Sequence, residues 1–390
     1  MKRTISTIGL LTGILFFSSC NKQKTADISP CIPQNNEYKT ALELVQKFAE
    51  QEEKPFSKSQ DIQIKYSDMK TIPLQEAVYS KSPNRNAKNE VNIYTFTLKT
   101  NGVEGFAMAT GDPRTPQVLA YVENGTLADT IDIPELAFVL RSVEKGLINN
   151  LQDFHKTQSI ETKNNMEYET INVEPLVKTT WNIGTPYNNS YPNGNCYSGQ
   201  KYKASSTAIA LAQAIVANPK RPNAFPPTYD VKRWTEKKTV EATDFYASQV
   251  ADLIYGLEGG TNLDCSESFC NLTIAKGMMT YYGYLENESY IFKAGYDFEA
   301  DLAKSIKQKY CTVVGGQINS FANNRYYAWV LDGFKGKLSK SGKKAVLVQV
   351  HCAYSHGGKG NGWFASPFFI NGNKNSSISI NLEFIHFQPF

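Results

Sequence analysis

The chain has 390 residues, with 41 Lys and Arg against 37 Asp and Glu, and it is 41% hydrophobic and 12% aromatic. That composition belongs to a globular protein and excludes fibrous chains and long disorder, while the length suggests about two to three compact units. A net charge of +4 without any Lys/Arg block leaves no electrostatic footprint for nucleic acid.

At the start, Met1-Lys2-Arg3 forms a positive n-region and Ile8 to Phe17 an apolar stretch too short to span a bilayer. It ends in Ser18-Ser19-Cys20, small residues leading into a cysteine, which resembles a bacterial lipobox. The expectation is a signal peptide over 1–20, a lipidated Cys20, a polar tether over 21–36, and a place in the bacterial cell envelope, periplasmic or surface. The alternative is a plain signal peptide with a chance cysteine. No later segment approaches the roughly 18 apolar residues of a membrane span.

Residues 37–155 read as a small unit. Leu42, Val45, Phe48 and Ala49 make a helical stripe. Val91 to Leu98 alternates as a strand, Asn101-Gly102 turns it, and Gly105 to Ala109 returns, a strong hairpin signal. Val118 to Val122 is a further strand ending at Asn124-Gly125. Asp132 and Pro134 start a helix whose buried face is Leu136, Leu140, Val143, Leu147 and Leu151. Residues 156–172 are polar, lack periodicity and read as a linker.

From 173 to 390 a helix near Ala204 to Ala217 precedes aromatic and β-branched strands. Ala208, Leu211, Ala212 and Ile215 recur at helical spacing until Asn218-Pro219 stops the helix. Tyr327 to Leu331 and Ala345 to Cys352 alternate as strands, with Asp332-Gly333 after the first. Helices first and strands afterward argue for an α+β domain. Beyond Cys20, six cysteines remain in an export-compatible chain, and they allow 15 pairings. Cys265 and Cys270 are the best local pair, and no two cysteines have the spacing of a zinc knuckle, so no metal and no cofactor is expected.

These pieces resemble the streptopain family of papain-like bacterial cysteine peptidases over nearly the whole chain. Gly105-Phe-Ala-Met-Ala-Thr-Gly-Asp112-Pro-Arg114, Val118 to Tyr121 and Asn124-Gly125 are similar to the family propeptide. Thr180-Trp181-Asn182 with Pro186-Tyr187-Asn188 resembles the start of the mature enzyme. Thr207 to Gln213 resembles the nucleophile helix, Ala328 to Gly333 the histidine strand, and Gly357-Gly358 with Asn361 to Phe364 the Gly-rich loop. The resemblance implies a papain-like α+β domain preceded by a small α+β propeptide-like domain.

That family needs a thiolate at a helix N-terminus, an imidazole beside it, and an Asn-Trp pair. Here the nucleophile position reads Ser206, the histidine position Tyr327, and the Asn-Trp pair Ala353-Tyr354. A serine hydroxyl is a poor nucleophile without a base. A phenol near pKa 10 is no base at neutrality without a large shift. One serine-for-cysteine change would read as an inactivating substitution; loss at the other positions as well argues that inactivity belongs to the sequence. The expected protein is a pseudopeptidase with a peptide or protein ligand. The alternatives are a working hydrolase using Ser206, with His356 as a conceivable partner but no evident orienting carboxylate, and a propeptide-type inhibitor.

Cys196, in the loop before the helix, reads as a disulfide partner rather than a nucleophile. If the fold is kept, Tyr326, Tyr327, Trp329, Tyr354 and Trp363 should converge on the former cleft, as a peptide groove or as an aromatic plug. Trp329, Gly357, Gly358 and Trp363 are the expected binding residues.

Overall fold

In this computed structural model residues 32–52, 62–74, 89–161, 167–194, 196, 199–218, 231–237, 239–260, 262–281, 292–293, 298–319, 324–366 and 383–386 are described. Cys20, and with it the expected lipidation site, lies outside them.

Helix α1 (Asn36–Glu52) buries Tyr38, Ala41, Val45, Phe48 and Ala49, the 3.6-residue stripe that its sequence carries. Four antiparallel strands follow, β1 (Gln63–Pro73), β2 (Glu90–Thr100), β3 (Val103–Thr110) and β4 (Gln117–Val122). Asn101 and Gly102 turn β2 into β3 with positive φ at both residues, the geometry Asn-Gly favours. A 3-10 turn (Leu127–Ile131), closed by a Thr126/Asp129 capping box, leads into α2 (Pro134–Glu161).

The expected linker over 156–172 is corrected. Helix α2 continues to Glu161, and β5 (Tyr168–Val173) pairs with the later strand β8. Alternation of buried Ile171 and Val173 gives β5 its inward face. Then come α3 (Ser206–Ala217), α4 (Val231–Glu236), α5 (Ala247–Glu258), α6 (Leu272–Tyr281), β6 (Phe292–Lys293) and α7 (Phe298–Lys307). The chain finishes with β7 (Thr312–Asn319), β8 (Asn324–Ser339), β9 (Ala345–Ala353), β10 (Gly362–Ala365) and β11 (Glu383–His386).

These strands make one sheet in the order β1-β2-β3-β4-β10-β9-β8-β7-β11-β6, with β5 on the C-terminal half of β8. The propeptide-like strands therefore do not stop at an edge. Tyr121 of β4 pairs with Trp363 of β10, and Val122 with Gly362. A Cβ at Gly362 would meet the Tyr121 carbonyl oxygen at 2.4 Å, so a side chain there would part the two halves. Among the described residues, mixed helix and antiparallel sheet form the expected α+β architecture.

Side-chain alternation sorts the cores. Tyr327, Trp329 and Leu331 of β8 face α2 and α7, with Leu136, Phe138 and Val139 of α2 in the same cluster. Ala328 and Val330 face the other way, toward α3 and α5. Tyr94, Phe96, Tyr121 and Trp363 pack under α1. Asp332-Gly333 is not a turn. It lies inside β8 at a register shift, where the Asp332 carboxylate accepts the Val177 N–H at 2.8 Å and contacts His351 Nδ1 at 2.6 Å. Side-chain capture of two partners fixes a bulge where sequence signals a reversal.

Candidate active site

Helix α3 is buried on every side from Ser206 to Val216, so its small, apolar residues are dictated by packing all round. Ser205 is its N-cap, the hydroxyl accepting the Ala208 N–H at 3.0 Å. A helix N-terminus favours negative charge, and here two of the protein's own carboxylates meet it. Glu258, fully buried, accepts the Ser205 N–H and the Tyr191 hydroxyl, each at 2.9 Å. Glu267 accepts the Ser206 N–H at 2.8 Å.

Ser206 itself is 1% exposed. Its Oγ accepts the backbone N–H of Ala328 at 3.2 Å, which sets it beside Tyr327 on β8. The nucleophile position and the histidine position of the sequence reading are thus adjacent in space. Tyr327 cannot act as a base: burial, with Glu267 and Glu135 nearby, pushes its phenol up to about 12.

His356 sits on the loop after β9 that carries Gly357 and Gly358, both at positive φ. This loop is fastened to the chain in two places, Gly357 N–H to the Trp181 carbonyl and Gly360 N–H to the Asn124 carbonyl. A Cβ on Gly358 would strike Thr180 at 2.9 Å. His356 Nε2 lies 3.4 Å from Oε2 of Glu135, a residue of the first turn of α2 with no exposed surface. The pair is an ion contact without hydrogen-bond alignment, since Nε2 and both Glu135 oxygens have no hydrogen-bond partner among the described residues.

The charges explain each other. Burial works against the His356 imidazolium, but Glu135, Glu267 and Asp132 outweigh it, and the net shift is upward. Burial and the neighbouring Glu135 raise Glu267 to about 7, against the restraining hydrogen bonds of the Ser206 backbone and hydroxyl and the pull of His356. The backbone N–H that would steady a developing oxyanion is already occupied by Glu267.

The other expected residues divide. Ala353 ends β9, and Tyr354 follows, fully buried, its ring 6.5 Å from Trp329 and 6.3 Å from Phe364. Trp329 in turn packs on Phe138 of α2 at 5.9 Å. These rings are covered by α2. Trp363 is a correction: β10 turns it to the opposite face, under α1, where its indole N–H donates to Glu52 at 2.7 Å. Tyr326 points away from Tyr327 and lines a cavity of about 460 Å³ with Phe269, Arg325, Asn262, Asp264 and Glu267, so the cavity adjoins the site through Glu267.

The expected Cys265–Cys270 bridge is also overturned. Cys196 and Cys265 form the disulfide, with Cα atoms 5.5 Å apart, whereas Cys270 is a free thiol in the α3/α5 core. Cys270 and Leu272 are fully buried where the chain enters α6, while Cys265 sits on the exposed loop, bonded to Cys196. Sequence reasoning missed Glu135 and Glu267. Glu135 was legible only as an acidic first-turn residue of a helix, and Glu267 only as a loop residue between two cysteines. Among the described residues no group of three or more His, Cys, Asp or Glu is arranged to hold a metal ion.

No protein-family model matches the chain, and no curated protein matches it in sequence. Among solved structures it is similar to a Prevotella intermedia prointerpain A fragment, a cysteine-to-alanine mutant of a streptopain-like cysteine peptidase precursor. The superposition has a TM-score of 0.52 at 17% identity and covers 75% of this chain and 94% of that one. The likeness is one of fold, a papain-like domain with its propeptide.

Proposed function

We propose that this chain is an exported, lipid-anchored protein of streptopain-like fold that does not hydrolyse peptides and instead binds a peptide or protein. The observation that carries the reading is the state of Ser206: buried, its N–H held by Glu267 at 2.8 Å, its Oγ held by Ala328, and a phenol where a base belongs. An oxyanion would have to displace a carboxylate from the helix N-terminus before any acyl transfer. The cavity beside Glu267, with aromatic Phe269 and Tyr326 and a partly exposed Arg325, offers the binding surface.

Incubation of the purified protein with casein, and with thiol- and serine-directed active-site probes, should give no turnover and no adduct. An adduct at Ser206 would sink the reading.

One observation favours a second reading, a serine hydrolase. Glu135 supplies His356 with the orienting carboxylate that the sequence alone does not reveal. In that case a serine-directed probe should label Ser206 in the intact chain and Glu135→Gln should abolish the labelling, whereas the first reading forbids labelling of either protein.

A further inference from the structure

The first turn of α2 reaches the site from the side, where Glu135 acts on both Glu267 and Tyr327, and the groups there are poorly satisfied. Glu135 has no exposed surface and, among the described residues, its two oxygens have no hydrogen-bond partner and its one charged contact of ion-pair length is His356 at 3.4 Å. Buried polar atoms are normally hydrogen-bonded, and exceptions call for a reason. We propose that this turn is a pH-gated stopper beside Ser206, seated in mildly acidic medium and lifted as the medium becomes alkaline. The proposal concerns access to the site and holds whether the site binds or hydrolyses.

The groups facing one another come from every element around the turn. Asp132 and Glu135 stand at the start of α2, His356 on the loop after β9, Glu267 on the loop before α6, and Tyr327 on β8 with Arg325 acting on it; Asp129 of the preceding 3-10 turn pairs with Lys359 of the His356 loop at 3.0 Å, a tie between the two segments that opening must break. Tyr354, whose phenol burial drives well above its usual range, also feels Glu135 and stays neutral. Tyr327 stays neutral over the same range. Two groups therefore decide the balance.

His356 is raised in the closed state. Its contribution is complete below its ordinary pKa of 6.5 and is lost as pH rises through the higher closed-state value. Glu267 is raised from 4.5 to about 7. Lifting the turn withdraws Glu135, one of the groups that raise it, so its pKa falls from the closed-state value of about 7 and closure weakens as pH rises toward that value. Both signs agree. Above about pH 7 an ionised Glu267 also faces the Glu135 carboxylate while His356 loses the charge that separates them.

Hydrogen exchange of the full chain, corrected for intrinsic rates, reads the opening directly. Between pH 5 and 8 the opening of residues 127–140 and 354–361 should rise at least tenfold, while residues 91–98 of β2 should not change. The double variant Glu135→Gln/Glu267→Gln should flatten that rise to under about threefold. A wild-type rise accounted for by intrinsic rates alone, or an unaltered rise in the folded double variant, overturns the proposal. Should the double variant not fold, NMR titration of the wild type decides. His356 titrating above 6.5 together with Glu267 near 7 supports the stopper, and ordinary values for both overturn it.

Discussion

The N-terminal half meets the C-terminal half through a charged pair on each face of the sheet, and the two pairs are built in opposite ways. Under α1, Lys335 pairs with Glu52, lies 4.3 Å from the centre of the Trp363 ring, and the same Glu52 takes the indole N–H at 2.7 Å. Under α2, Glu135 meets His356 with three polar atoms left without hydrogen bonds. A buried polar network that is fully satisfied rigidifies its junction; one that is not leaves the junction cheap to open. The α1 face is thus the tighter seam, and the α2 face, whose Glu135 acts on the Glu267 that holds the Ser206 N–H, is the looser one.

The seam can be broken most severely at Trp363. Replacing it with Ala removes a ring that is 3% exposed, the cation-π partner of Lys335 and the donor to Glu52. A loss of about 4 kcal/mol is expected from denaturant unfolding. A loss under about 1 kcal/mol would mean that α1 is not held here.

Glu52→Gln should cost less. Removing one member of a buried pair costs about 3 to 5 kcal/mol when the other charge stays trapped. Lys335, however, is drawn down to about 8 by burial and can shed its proton, so a loss of about 2 kcal/mol is expected at pH 8. The same measurement at pH 6, where neutralising the lysine is harder, should show the larger loss. Equal losses at both values would show that Lys335 escapes to water instead.

How much of this was visible in the sequence differs by physical cause. Features set by nearest neighbours were legible: the α1 stripe, the Asn101-Gly102 turn, Pro134 opening α2, and the apolar run of α3. The resemblance assigns Ser206 and Tyr327 to one site, and in the fold Ser206 Oγ accepts the N–H of Ala328, the residue after Tyr327. Strand β1 was not legible, because it is an edge strand whose mostly exposed residues lack clean alternation. The carboxylates were hidden for another reason. Glu267 is 61 residues from Ser206 and Glu135 more than 200 from His356, so nothing local marks their meeting. Trp363 was misplaced because residue spacing fixes its strand but not which face of the strand looks at the cleft.

The finest test of the contrast lies in Tyr354, in the core that α2 covers. Its hydroxyl is fully buried and, among the described residues, has no hydrogen-bond partner of good geometry, with the weakly accepting Cys352 thiol near it. Its ring, by contrast, is well packed between Trp329 and Phe364. Tyr354→Phe keeps those ring contacts and deletes the unsatisfied oxygen. Loss of a satisfied buried hydroxyl costs about 1 to 3 kcal/mol, whereas loss of an orphan is neutral or stabilising. Unfolding of this variant should therefore match the wild type within about 1 kcal/mol, on the stable side. A loss of about 2 kcal/mol would place an ordered water on the hydroxyl, and the α2 face would then be as well satisfied there as the seam under α1.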